Sequence, residues 1–95
     1  MNDNTVEFEG VMSDEGKIHR VTQLAKTCGA CPAQWEGVTD DGQEVYIRYR
    51  WGFLYALVGD ETVAAFHVGG EYDGAMNDAD MARLLAPYLD FSAVL

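Results

Sequence analysis

The stretch Gln34–Val68 constrains this chain more than any other. It reads Q-W-E-G-V-T-D-D-G-Q-E-V-Y-I-R-Y-R-W-G-F-L-Y-A-L-V-G-D-E-T-V-A-A-F-H-V. Asp40-Asp41-Gly42, Trp51-Gly52 and Gly59-Asp60 cut it into four short runs rich in β-branched and aromatic residues, the pattern of an antiparallel meander. A glycine late in a tight loop supplies the positive φ that lets a strand reverse.

Loop lengths set the register. Three-residue loops at Asp40–Gly42 and Arg50–Gly52 put Trp35 opposite Ile47, Tyr49 opposite Phe53 and Ile47 opposite Tyr55. A two-residue turn at Gly59-Asp60 puts Phe53 opposite Phe66 and Tyr55 opposite Ala64. One face then gathers Trp35, Val45, Ile47, Tyr49, Phe53, Tyr55, Leu57, Ala64, Phe66 and Val68. The other carries Glu36, Tyr46, Arg48, Leu54, Ala56, Val58, Val63, Ala65 and His67, polar at one end and apolar at the other. A sheet facing water on one side alternates more cleanly, so the apolar end of that second face needs a cover.

The flanks supply candidates. Thr5–Met12 alternates as a strand, Ser13-Asp14-Glu15-Gly16 reads as a turn, and Lys17–Leu24 reads as the returning strand. A helix from Ser13 is the rival reading, since Ile18, Val21, Leu24 and Ala25 also fit a 3.6-residue period. Downstream, Gly69–Gly74 is an acidic, glycine-rich loop. Asn77 then caps a helix with Asp78 and Asp80 in its first turn, Met76 stapled to Met81, and an apolar stripe of Met81, Leu84, Leu85 and Tyr88. Pro87 ends it, and the apolar tail Leu89–Leu95 can dock, as an added strand for instance. Helix and tail are the expected cover.

Ninety-five residues make one domain, 1–95, of α+β class: an antiparallel β-meander of five or six strands with one C-terminal helix packed on it. No apolar run is long enough to span a membrane, and the acidic start M-N-D-N-T-V-E lacks the features of a secretion signal. A cytoplasmic protein is expected.

The net charge of −10 is unevenly spread: −5 over residues 1–16, +1 over 17–58 and −6 over 59–95. Such a chain is repelled by nucleic acid and anionic membranes and drawn to basic protein surfaces.

Four groups could carry chemistry. Cys28-x-x-Cys31 is half a zinc site, with His19 and His67 available to complete it, but the spacings match no usual finger. As a redox motif it lacks the following helix, because Pro32 leads into a strand; two small residues in a tight loop is the plainer account. Tyr46-Ile47-Arg48-Tyr49-Arg50-Trp51 could stack bases, yet its two cations sit in a strongly acidic molecule. Tyr, Trp and Arg suit a protein contact better, and the plainer account pairs Arg48 with Glu36 or Glu44. His19 and His67 have no nucleophile in a recognisable pattern. Glu71, Asp73, Asp78 and Asp80 lack the order of a calcium loop.

C-P-A-Q-W-E-G followed by Y-I-R-Y-R-W-G resembles a pattern in small uncharacterised proteins of actinobacteria and their phages, over about residues 27–58. The resemblance implies a bacterial or phage setting and carries over no activity and no site residue.

These readings converge on a small acidic protein that is not an enzyme and needs no cofactor. It would bind a basic protein surface through Tyr46, Arg48, Arg50, Trp51, Glu71 and Asp73, as a phage-type inhibitor of a nucleic-acid-binding protein would. Direct nucleic-acid or membrane binding is not expected, and a homodimer stays open. The alternatives are a zinc-stabilised module built on Cys28 and Cys31, and a protein that binds or sequesters a small molecule.

Overall fold

The computed structural model describes residues 18–29, 33–68 and 75–95. Over these, the elements are β1 (His19–Cys28), β2 (Ala33–Thr39), β3 (Glu44–Arg50), β4 (Phe53–Val58), β5 (Glu61–His67), α1 (Asp78–Leu85) and β6 (Leu89–Asp90). The expected strand Thr5–Met12, the turn Ser13–Gly16 and the loop Gly69–Gly74 lie outside the described residues.

The strands form one curled sheet in the order β5-β4-β3-β2-β1-β6. β1 to β5 run as the expected antiparallel meander. β6 departs from it, lying parallel to β1 with Leu89 beside His19 and Asp90 beside Arg20. The sheet is therefore mixed, which corrects the purely antiparallel expectation. The cause is the helix between: α1 carries the chain back along the sheet, so the tail arrives in the direction of β1. Tyr88 N–H donates to the Leu85 carbonyl at 2.8 Å and His19 N–H to the Tyr88 carbonyl at 3.2 Å, so the helix end feeds straight into the new pair.

Residues 19–28 are a strand, and the helical alternative fails there. Its apparent 3.6 period has a local cause. β1 carries a bulge between Val21 and Gln23, so Val21 is buried and Leu24, three residues on, also packs on the core. β2 meets this bulge at Gly37, where a Cβ would run into the Gln23 carbonyl oxygen and come within 3.2 Å of the Leu24 Cα. Only glycine permits that approach.

β2 and β3 pair as expected, Trp35 opposite Ile47, around a loop that ends on Gly42 at φ +85°. β3 and β4 do not. Arg50 pairs with Phe53, so Trp51-Gly52 is a two-residue turn, with φ of +52° and +78°. Both positive values match the type I′ hairpin turn, whose twist suits the flanking strands. Tyr49 consequently faces Leu54 and Ile47 faces Ala56, and all of β4 is turned over relative to the expectation. The two-residue Gly59-Asp60 turn is as expected, but Val63 is squeezed out as a bulge. Phe53 then faces His67, and Tyr55 faces Ala65. The second slip offsets the first beyond the bulge, so Phe66 and Val68 keep their expected side against the core.

The sheet thus has one core face: Ala33, Trp35, Val45, Ile47, Tyr49, Leu54, Ala56, Val58, Val63 and Ala64 are all buried there. Met76, Met81, Leu85, Leu89 and Phe91 cover it. Helix and tail therefore lie on the Trp35 side and not over the Tyr46–Arg48 side, which corrects the expected cover: with β4 turned over, Leu54, Ala56 and Val58 join the Trp35 side. Asn77 caps the helix, its side-chain oxygen accepting from the Asp80 N–H at 2.7 Å.

Candidate protein-docking face

The opposite face of the sheet has no helix over it among the described residues. Alternation places Gln34, Glu36 and Val38 of β2 there, with Glu44, Tyr46, Arg48 and Arg50 of β3, Phe53, Tyr55 and Leu57 of β4, and Ala65 and His67 of β5. Cross-strand pairing arranges these in rows. Arg50, Phe53 and His67 form the first, Gln34, Arg48, Tyr55 and Ala65 the second, and Glu36, Tyr46 and Leu57 the third.

The rings touch in sequence. His67 meets Phe53 edge-on at 5.1 Å between centroids, Phe53 lies 6.2 Å from Tyr55, and Tyr55 lies 6.2 Å from Tyr46. These are favourable separations for aromatic pairs. The strip ends at the β3–β4 hairpin tip, where Trp51 is 68% exposed and the Arg50 guanidinium sits 5.7 Å from its ring centroid. Phe53 is 37% exposed.

Arg48 lies between Gln34 and Tyr55 and forms no ion pair among the described residues, which corrects the expected bond to Glu36 or Glu44. Register is the reason: both carboxylates belong to rows farther towards the other end of the sheet. Glu36 instead accepts from the Thr27 hydroxyl at 3.0 Å and the Gln34 amide at 3.3 Å. The Tyr55 hydroxyl beside it, and secondarily Tyr46, hold the Arg48 guanidinium above its usual value, with burial opposing. Burial and then Tyr55 push the Tyr46 phenol above 10.0, Arg48 opposing.

Charge is polarised along the strands. Arg48 and Arg50 lie towards the Trp51 end, whereas Asp40, Asp41, Glu44, Asp60 and Glu61 cluster at the end formed by the β2–β3 and β4–β5 loops.

Of the residues singled out from sequence, Tyr46 and Arg48 share the face and Arg50 and Trp51 form its tip. Glu71 and Asp73 lie outside the described residues, as does Cys31. Cys28 is half-buried at the end of β1, and His19 begins the same strand, nine residues away or about 30 Å at the usual strand rise. His19 and Cys28 therefore cannot share one ion, and the described residues contain no group of three or more metal-ligating side chains. Phe53 and Tyr55 are the members that sequence reasoning missed, whereas His67 lies on the face expected for it. The available signal is the Trp51-Gly52 dipeptide itself, since glycine second in a two-residue loop fits a type I′ turn.

Protein families, characterised proteins and solved structures were all compared with this chain, and none matches it. Fold and face together define its class: a small, mostly β protein of α+β type, with one sheet face packed under a short helix and the other presenting aromatic rings and cations. No helix among the described residues is long and apolar enough to cross a membrane.

Proposed function

We propose that the protein is a non-enzymatic interaction protein that docks a basic protein partner on its outer sheet face. Trp51 carries this reading. A large ring is kept 68% exposed at a hairpin tip and in a left-handed backbone conformation that a non-glycine residue adopts at a cost. The hairpin needs that backbone conformation but not a tryptophan in it, and strained, exposed aromatics are typical of sites that act on something else. Phe53, Tyr55 and Tyr46 extend the contact, and Arg48 and Arg50 supply directional donors. The net charge of −10 favours a basic partner by steering and opposes direct binding of nucleic acid. An inhibitor presenting carboxylates to a nucleic-acid-binding surface is the finer form of this reading and rests on that charge. The zinc-module and small-molecule readings have less support, since Cys28 is remote from His19 and the residues facing each other between sheet and helix form a cluster of buried apolar side chains.

Capture from bacterial lysate, comparing the native chain with Trp51→Asn and Phe53→Ser, tests the proposal. A basic protein retained by the native chain alone, and released as salt rises, is the expected result. Equal retention by the variants, or a complex indifferent to salt, overturns it.

A further inference from the structure

Between β2, β3 and β4, towards the acidic end of the outer face, lies a cleft of about 450 Å3. Glu36, Val38, Glu44, Tyr46 and Leu57 line it, with Gly59 at its edge. Glu36 pairs with Tyr46 and Val38 with Glu44, so the two carboxylates occupy one diagonal of a four-residue plot and the ring and Val38 the other.

Neither carboxylate has an ion pair among the described residues. Glu36 is oriented by Thr27 and Gln34, which engage only its Oε2. The Glu44 backbone carbonyl accepts from the Gly59 N–H at 2.8 Å, whereas its carboxylate forms no hydrogen bond or ion pair among the described residues. Arg48, the cation nearest in register, is engaged with Tyr55 one row away. The Tyr46 ring is held in place because its hydroxyl donates to Gln34 Oε1 at 2.9 Å. Asp60 and Glu61 adjoin the cleft beside Gly59 and deepen its negative field.

A fixed aromatic ring, an apolar patch and two carboxylates without an ion pair among the described residues together complement one particular cation. A guanidinium is planar and weakly hydrated, can stack on a ring, and can donate to two carboxylates through separate N–H groups. An ammonium is compact and strongly hydrated and gains less from the ring. We propose that this cleft receives one arginine side chain of the protein partner. The inference rests on the interaction reading above and names the group recognised.

Titration of the 15N-labelled protein with N-acetyl-argininamide, followed by amide chemical shifts, tests it. Saturable shifts confined to Gly37, Val38, Glu44, Tyr46, Leu57 and Gly59 are expected. Glu44→Gln, alone or with Glu36→Gln, should raise Kd about tenfold or more, equivalent to about 1.4 kcal/mol. Glu36 and Glu44 are both exposed, so the rest of the variant spectrum should superpose on the native one and report an intact fold. The neutral isostere N-acetyl-citrullinamide should leave the spectrum unchanged. Shifts scattered over the surface, an equal response to citrulline, equal affinity for N-acetyl-lysinamide, or unaltered affinity in the variants would each overturn the assignment. Because Trp51 lies at the far end of the face, a partner still lost in Trp51→Asn but indifferent to Glu44→Gln would remove the arginine cleft and leave the interaction reading standing.

Discussion

The Trp35 indole N–H donates to the Asp78 carboxylate at 2.8 Å, tying the middle of the sheet to the first turn of the helix. Lys26 closes the arrangement from the other side. Its ammonium lies 5.1 Å from the Trp35 ring centroid and donates to the Met76 carbonyl at 2.8 Å. Asp78 therefore serves twice, accepting the only polar atom of a fully buried ring and placing negative charge where the helix dipole favours it. This clamp holds α1 on the core face and leaves the aromatic face uncovered by it.

Replacing Trp35 by Phe should lower stability by about 2–3 kcal/mol, through the lost charged hydrogen bond and the volume removed from the core. Asp78→Asn keeps an acceptor and should cost less, about 1 kcal/mol. Urea denaturation of the two variants checks the order; equal losses would refute the clamp.

Gly37→Ala should destabilise by about 3 kcal/mol, at the upper end for overpacking, because the obstacle is the Gln23 backbone rather than a side chain that can move. Thermal unfolding measures this. At Gly29 a Cβ meets nothing within 4 Å, so Gly29→Ala is the matched control and should change little.

Trp51→Asn should raise stability by about 1 kcal/mol while weakening partner binding. Asparagine tolerates positive φ and is the favoured first residue of an Asn-Gly type I′ turn. A stability gain combined with a binding loss, read by denaturation and by capture, marks Trp51 as retained for contact. A loss of both would mean that its ring supports the hairpin.

Tyr46 should ionise above pH 10.0, and ultraviolet difference titration against Tyr46→Phe isolates its signal. The folded state favours the protonated phenol, so the stabilising contribution is complete below pH 10.0 and is lost as pH rises through the higher folded value. Arg48→Leu removes the cation that opposes the shift, so Tyr46 should then titrate at a still higher pH. A downward move would show that Arg48 does not lie close enough to stabilise the phenolate.

Much of this architecture is legible in the residues one by one. Asn77 and the acids after it mark the helix start, Pro87 marks its end, and the three turn signals each fall between strands. The candidate docking face was half legible. Tyr46 and Arg48 follow from alternation within β3, whereas Phe53 and Tyr55 depend on the length of the loop before them. A tryptophan at positive φ is an uncommon first residue for a two-residue turn, so the longer loop is the natural reading of Arg50-Trp51-Gly52. One residue of difference moves two aromatic rings from the core to the surface.

The sequence by itself determined the number and kind of the central elements, because strands, turns and a capped helix are specified by neighbours a few residues apart. Tertiary structure decided which face became the core. Packing the smaller Leu54, Ala56, Val58 and Val63 beneath Met81 and Leu85, rather than the larger Phe53 and Tyr55, selected the short turn and the Val63 bulge. It also decided the parallel pairing of Leu89–Asp90 with His19–Arg20, a contact between segments about seventy residues apart that no local pattern encodes.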